Sequence, residues 1–288
     1  MWLRRIVALA ALAAAIVTVA IVARGPAASE PAARATPTPT ARRPPKPKRK
    51  PAAKPTPVGE VTGAAARRMP IPILMYHVIN KAPAGVPNAE LWVDKEVFAD
   101  EMRALRKAGY TAVTLGQAWS GWRRGGPLPK KPIVVSFDDG YLSHYTHAKP
   151  VLRKLGWPGV LYLEIKSIGP GGLTEHQIRS LMKAGWEIDS HTLTHPDLTT
   201  LDDAALEREL VDSRRELQER FGVKADFFAY PAGRYDDRVE AATKAAGYRA
   251  AVTVDEGIAR GRDDPFALKR VRVNASDTAV TLLAKLRG

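Results

Sequence analysis

The sequence predicts an α/β protein whose folded part is a distorted (β/α) barrel of seven to eight strands, preceded by an N-terminal apolar helix and a disordered linker. Three observations carry this. From residue 70 onward, about 219 residues alternate short apolar runs of strand type with helical patterns. Four polar clusters each follow directly on such a run, and a barrel gathers its functional side chains at the carboxyl ends of its strands. No glycine-rich phosphate loop is present, which argues against an open doubly wound sheet.

The elements follow in chain order. Met1-Trp2-Leu3-Arg4-Arg5 is a basic start, and the 18 residues 6–23 carry no charge. As a helix they would span about 27 Å. That is longer than the roughly 7–15 apolar residues of a cleavable signal. Residues 1–24 therefore read as a membrane anchor with its N-terminus inside. Eight alanines among the 18 weaken that reading and keep a signal peptide as the alternative. Residues 25–69 hold ten prolines and ten Lys/Arg. Such a composition buries no core, so an extended, polyproline-like linker is expected. It is either a plain flexible linker or a spacer lifting the domain off a membrane.

Residues 70–288 form the expected folded domain. Strands are predicted near 71–76, 111–113, 133–137, 159–163, 187–190, 226–229, 250–253 and 268–273. Helices are predicted near 95–108, 115–121, 142–155, 174–184, 202–220 and 236–246. The longest shows a buried face in Leu206, Leu210, Leu217 and Phe221, with Thr200 ahead of Asp203 as its cap. Its charges read as a solvated face. Trp157 and Trp186 read as core, and Trp92 as core or as a platform for a sugar ring. His144, His147 and His176 read as surface residues.

Net charge is +14, but residues 1–69 hold 13 Lys/Arg against two acids, leaving only +3 for the rest. The folded part lacks the basic surface of a nucleic-acid enzyme. No cysteine occurs, so disulfides and thiolate chemistry are excluded.

The chemistry lies in two clusters. Ser136-Phe137-Asp138-Asp139-Gly140 puts adjacent carboxylates at a strand end. Asp189-Ser190-His191-Thr192-Leu193-Thr194-His195 adds two imidazoles. Alone, the two aspartates would serve equally as a helix cap and turn. With the histidines they suffice for one divalent metal and leave a carboxylate over as a base. That combination points to metal-assisted hydrolysis. His77 follows the first strand and Tyr230-Pro231-Ala232-Gly233 the sixth.

These residues resemble the polysaccharide deacetylases of carbohydrate esterase family 4, the NodB homology domain, over residues 70–288. Residues 136–140 match the motif T/S-F-D-D-G in full, and residues 191–195 match H-S/T-x-x-H in full. Of R-x-P-x-G only Pro231 and Gly233 match. Ile73-Leu74-Met75-Tyr76-His77 is similar to the branch that includes poly-N-acetylglucosamine deacetylases. The resemblance implies a divalent metal, Zn²⁺, held by Asp139, His191 and His195, with Asp138 as base. It also implies an oxyanion contact from the backbone N–H of Ala232 and a substrate surface around Tyr230, Pro231 and Gly233. Two departures stand out. The family's arginine, which orients the base, corresponds to Ala229, with Arg234 close in sequence. The late L-x-x-H motif is replaced by Leu268-Lys269-Arg270-Val271, and no histidine follows His195. An amide's leaving nitrogen needs a proton. First and last strands are neighbours in a closed barrel, so His77 is the expected acid.

The reading is an exported, metal-dependent N-deacetylase at the cell surface, held by its N-terminal segment or secreted if that is cleaved. Its substrate is peptidoglycan or poly-N-acetylglucosamine. The rivals are a polysaccharide O-acetyl esterase and a non-catalytic polysaccharide-binding protein.

Overall fold

The structure, a computed structural model, describes residues 60–287. The anchor or signal at 1–24 and residues 25–59 of the linker lie outside the described residues.

Eight parallel strands organise the domain: β1 (Ile73–Tyr76), β2 (Thr111–Ala112), β3 (Pro132–Phe137), β4 (Val160–Leu163), β5 (Glu187–Ser190), β6 (Phe227–Ala229), β7 (Ala250–Glu256) and β8 (Leu268–Arg272). Seven close a ring in the order β1-β8-β7-β6-β5-β4-β3. β3 shuts it by pairing with β1 from Ile73↔Val134 to Tyr76↔Phe137. The two-residue β2 pairs with the base of β3 at Pro132 and Ile133. The distorted barrel predicted from sequence is therefore present.

Parallel strands are covered on both faces and run apolar without a break. Ile133, Val134 and Val135 are buried, as are Val160, Leu161, Tyr162 and Leu163. Alternation along each strand sorts these residues into two layers. Ile73, Val134, Val160, Tyr162, Phe227, Ala229, Val252 and Leu268 pack together in the interior. Leu74, Tyr76, Val135, Phe137, Leu161, Leu163 and Ile188 face outward onto Phe98, Met102, Leu105, Leu152, Ile178 and Leu181 of the helices. Burying each such side chain contributes about 1.5–3 kcal/mol. Trp157 and Trp186 belong to the outer layer, as expected.

Two helices differ from expectation. The 142–155 stretch is a π turn, His144–Ala148, running into the helix Lys149–Leu155. The 202–220 stretch is Asp203–Glu207, a π turn Arg208–Asp212, then Ser213–Phe221. Its cap is Asp202, whose carboxylate accepts the N–H of Ala205 at 2.7 Å. Thr200 instead ends a short 3₁₀ turn. The helix Ala279–Lys285, unforeseen in the sequence, follows β8 and buries Leu282.

The linker boundary is corrected as well. Glu60–Val61 pairs antiparallel with Leu128–Pro129. Gly63–Arg68 is helical and buries Ala66. The carbonyl of Met69 accepts the indole N–H of Trp122 at 2.8 Å. Residues 60–69 contain no proline and offer Val61, Ala66 and Met69 to the barrel floor, where Leu115, Ala118 and Trp122 lie. A chain beginning at residue 70 should thus unfold at a lower temperature than one beginning at residue 59. Each ~1 kcal/mol shifts the midpoint of a domain this size by roughly 2–4 °C. Equal midpoints in thermal unfolding would show that this segment contributes nothing.

Candidate active site

The same alternation decides which polar side chains reach the barrel mouth. On β3 the interior parity of Val134 continues through Ser136 to Asp138. On β8 it runs from Leu268 through Arg270 to Arg272. Past β5 it reaches Asp189 and His191, and past β1 it reaches His77. Asp138, Asp139, His77, His191, His195, Arg270 and Arg272 line one cleft of about 920 Å³ at the carboxyl ends of the strands.

Asp138 lies at the cleft floor, 1 % exposed, against an equally buried Arg270. The guanidinium donates from Nη1 to Oδ1 and from Nη2 to Oδ2, both at 2.8 Å. Its Nε–H goes to the carbonyl of Thr253 at 2.8 Å. Burial pushes the Asp138 carboxyl up, but the charge and hydrogen bonds of Arg270 outweigh it and hold the group below its ordinary value. A fork-to-fork pair fixes the carboxylate's plane as well as its charge. The orienting arginine missing at Ala229 is thus supplied from β8. Arg234 does not substitute, being paired with Asp197 at 2.7 Å. Sequence reading passed over Arg270 while searching that stretch for a histidine. The signal was its parity with Leu268.

Asp139, His191 and His195 bring one ligand atom each to within 4.8 Å of one another. Nε2 of His191 and of His195 lie 3.3 and 3.7 Å from Oδ1 of Asp139. Nδ1 of His191 is 2.8 Å from the carbonyl of Ala229. A carbonyl only accepts, so Nδ1 carries the proton and the Nε2 lone pair faces the group. Oδ1 of Asp139 is buried without a hydrogen-bond donor. A carboxylate oxygen lacking a donor, beside two imidazole nitrogens, fits a divalent ion with N/O preference.

The loops carrying these ligands are held in unusual conformations. Asp139, Thr192 and His195 have φ of 75°, 69° and 56°, a region non-glycine residues seldom occupy. Glu209 secures the histidine loop: its carboxylate accepts the N–H groups of Leu193 and Thr194 at 2.8 and 3.0 Å and the Thr194 hydroxyl at 2.7 Å. The sequence reading counted Glu209 among solvated charges, yet it is buried. Gly140 closes the aspartate turn at φ 97°, where a Cβ would lie 2.6 Å from Leu163.

Nε2 of His77 stands 3.9 Å from Oδ2 of Asp138. Burial lowers the imidazole pKa, and Asp138 and Asp139 oppose that. Its position is fixed by residues read as surface. His144 is fully buried and its Nε2 donates to the His77 carbonyl at 2.6 Å. Nδ1 of His147 donates to the Ile79 carbonyl at 2.6 Å, and Ser143 Oγ accepts the N–H of Ile79 at 3.0 Å. His144 is buried because the π turn lays this face against the strand end. His176 is exposed, as expected.

In the turn after β6, Tyr230 shares the outward parity of Phe228 and its ring stacks on Tyr235 at 4.4 Å, yet it also lines the cleft. Pro231 is buried. Gly233, at φ 70°, lies where a Cβ would meet Val254 at 2.3 Å. Pro231 and Gly233 are not among the residues lining the cleft. Ala232, exposed with φ 51°, lines the cleft. Trp92 is half-buried and pairs in the short strand Trp92–Val93 with Val78–Ile79. Tyr141 and Glu164 line the cleft beside Asp139 and were not anticipated.

Fold and site together define a barrel with a three-residue group able to hold a metal ion beside a buried carboxylate. The sequence signature described as polysaccharide deacetylase matches residues 125–251. YxkH of Bacillus subtilis (strain 168) is 33 % identical over 205 residues, 71 % of each chain. A poly-beta-1,6-N-acetyl-D-glucosamine N-deacetylase of Staphylococcus aureus (strain MRSA252) is 22 % identical over 67 % of this chain and 71 % of its own. Among solved structures, the deacetylase PplD of Streptococcus pyogenes, in complex with acetate, superposes with a TM-score of 0.71 at 26 % identity, covering 76 % of this chain and 98 % of that one. IcaB of Ammonifex degensii gives a TM-score of 0.64 at 25 % identity, covering 76 % and 97 %. The chain belongs to the polysaccharide deacetylase family, hydrolases acting on amide C–N bonds.

Arg270→Met should cost about 3–5 kcal/mol in urea unfolding, because Asp138 is left buried and unpaired. Asp138→Asn added to it should recover most of that stability. A single mutant as stable as wild type would mean the pair does not govern the site.

Proposed function

We propose that the chain is a metal-dependent N-deacetylase acting outside the cytoplasmic membrane on an N-acetylglucosamine-containing polysaccharide. The observation that carries this reading is that Asp138 and His77, 3.9 Å apart, line the same cleft as the Asp139–His191–His195 group. Asp139, His191 and His195 would hold the ion, Zn²⁺ by the N/O donor set. A bound zinc supplies a polarised carbonyl and a water whose pKa falls to about 7.

Asp138, kept ionised and oriented by Arg270, accepts a proton from the attacking water. The backbone N–H of Ala232 faces the developing oxyanion. His77, once protonated, stands 3.9 Å from that base and donates to the leaving nitrogen. The products are acetate and a free amine. The named activity of the S. aureus relative supports poly-N-acetylglucosamine as a substrate, and peptidoglycan has the same acetamido group. The basic, then apolar, residues 1–24 support export.

Acetate release from chitotetraose should require metal and stop with chelator. In His191→Ala/His195→Ala, metal and activity should disappear together with the fold intact; stoichiometric zinc in that double mutant would refute the ligand set. Asp138→Asn should keep its metal and lose turnover. His77→Ala should lower amide turnover about 10²–10⁴-fold, yet slow an activated acetyl ester far less, since a good leaving group needs no proton. Equal losses on both substrates would remove His77 from the acid role.

A further inference from the structure

We propose that Arg272 recognises a carboxylate on the sugar whose acetamido group is cleaved, which directs the enzyme toward an acidic N-acetylhexosamine such as the lactyl-bearing sugar of peptidoglycan. This rests on the deacetylase reading above and narrows its substrate.

The interior face of β8 and the residues after it presents Arg270, Arg272 and Asn274 in succession, all lining the cleft. Arg270 is consumed by Asp138 and by the Thr253 carbonyl. Arg272 is half-buried, and among the described residues its guanidinium has no ion-pair partner and no hydrogen-bond acceptor. Three carboxylates, Asp138, Glu256 and Glu90, bear on it electrostatically. Asp138 is taken up by Arg270, Glu90 and Glu256 are exposed, and Glu256 takes the backbone N–H of Arg272 at 3.2 Å instead of its side chain. Asn274 adds a second unpartnered group: its Oδ1 is buried with no donor. A desolvated cation without a partner is unfavourable. A ligand carboxylate removes that cost and matches the planar fork of the guanidinium.

Position narrows the ligand. Arg272 lies opposite Met75 in register, two residues before His77, and both side chains line the cleft, so the guanidinium stands on the side from which the proposed acid acts. The anion inferred here is therefore one carried close to the acetamido carbon of the sugar. A 3-O-lactyl group provides one, whereas poly-N-acetylglucosamine provides none. Deacetylation makes that polymer cationic, and a free guanidinium in the cleft repels it.

The test uses the zinc-loaded protein and three soluble probes. One is chitotetraose. The second is an alternating tetrasaccharide with free 3-O-lactyl carboxylates. The third is that tetrasaccharide with its carboxylates converted to methylamides. Acetate release gives kcat/KM, and mass spectrometry locates the sugar that lost acetyl. A charge-assisted contact predicts an acid-to-amide ratio of kcat/KM of about tenfold or more, mainly through KM, shrinking with added salt. In Arg272→Gln the ratio should fall to about one, and Arg272→Lys should keep part of it. A wild-type ratio near one, or a ratio unchanged in Arg272→Gln, overturns the inference and leaves the deacetylase reading standing if chitotetraose is cleaved. No acetate from any probe overturns both. Should Arg272→Gln fail to fold, the wild-type ratio and its salt dependence decide.

Discussion

Arg270 and Asp138 are 132 residues apart in sequence and meet across the barrel interior through two hydrogen bonds of 2.8 Å. Removing two charges from water costs several kcal/mol per ion, and only near-ideal geometry with every donor satisfied offsets it. Here both carboxylate oxygens are engaged, the Nε–H finds the Thr253 carbonyl and an Nη1–H reaches Ser136 Oγ at 3.4 Å. The pair therefore fixes the height of β8 relative to β3. Because β8 lies beside β1, with Arg272 opposite Met75, the same registration sets Arg272 at the end of β1, where His77 follows.

Around this pair the site is built from backbone held away from its ordinary conformations. Three positive-φ residues in the two ligand loops cost of order 1–3 kcal/mol each. Each loop has a buried polar anchor that offsets this. The Ser167 hydroxyl lies 2.6 Å from the Asp139 carbonyl, and Thr192 Oγ accepts the N–H of His195 at 2.9 Å. Glu209 holds the middle of the histidine loop. Removing conformational freedom beforehand would let these three residues converge on an ion without reorganisation.

The first and second motifs were legible because they are local. A run of apolar residues ending in two aspartates, and two histidines four apart after another strand, announce a strand-end metal group without long-range information. The barrel was legible for a related reason: eight apolar runs separated by helical patterns leave few ways to cover a parallel sheet. Boundaries failed where a tertiary surface supplied the stabilisation. Residues 60–69 are short and weakly patterned, and gain order from the barrel floor at Trp122 and Leu128.

What the sequence alone determined is the set of local devices: the strand and helix periods, the residue types that could hold a metal and their spacing, and the family. What only the tertiary structure decided is which distant groups complete the site. An arginine from the last strand takes the place of one expected on the sixth. A glutamate on one π turn and two histidines on another hold the backbone around the site. The physical reason is that a side chain's partner across a closed barrel is set by register and strand parity. Neither is written in the few residues around it.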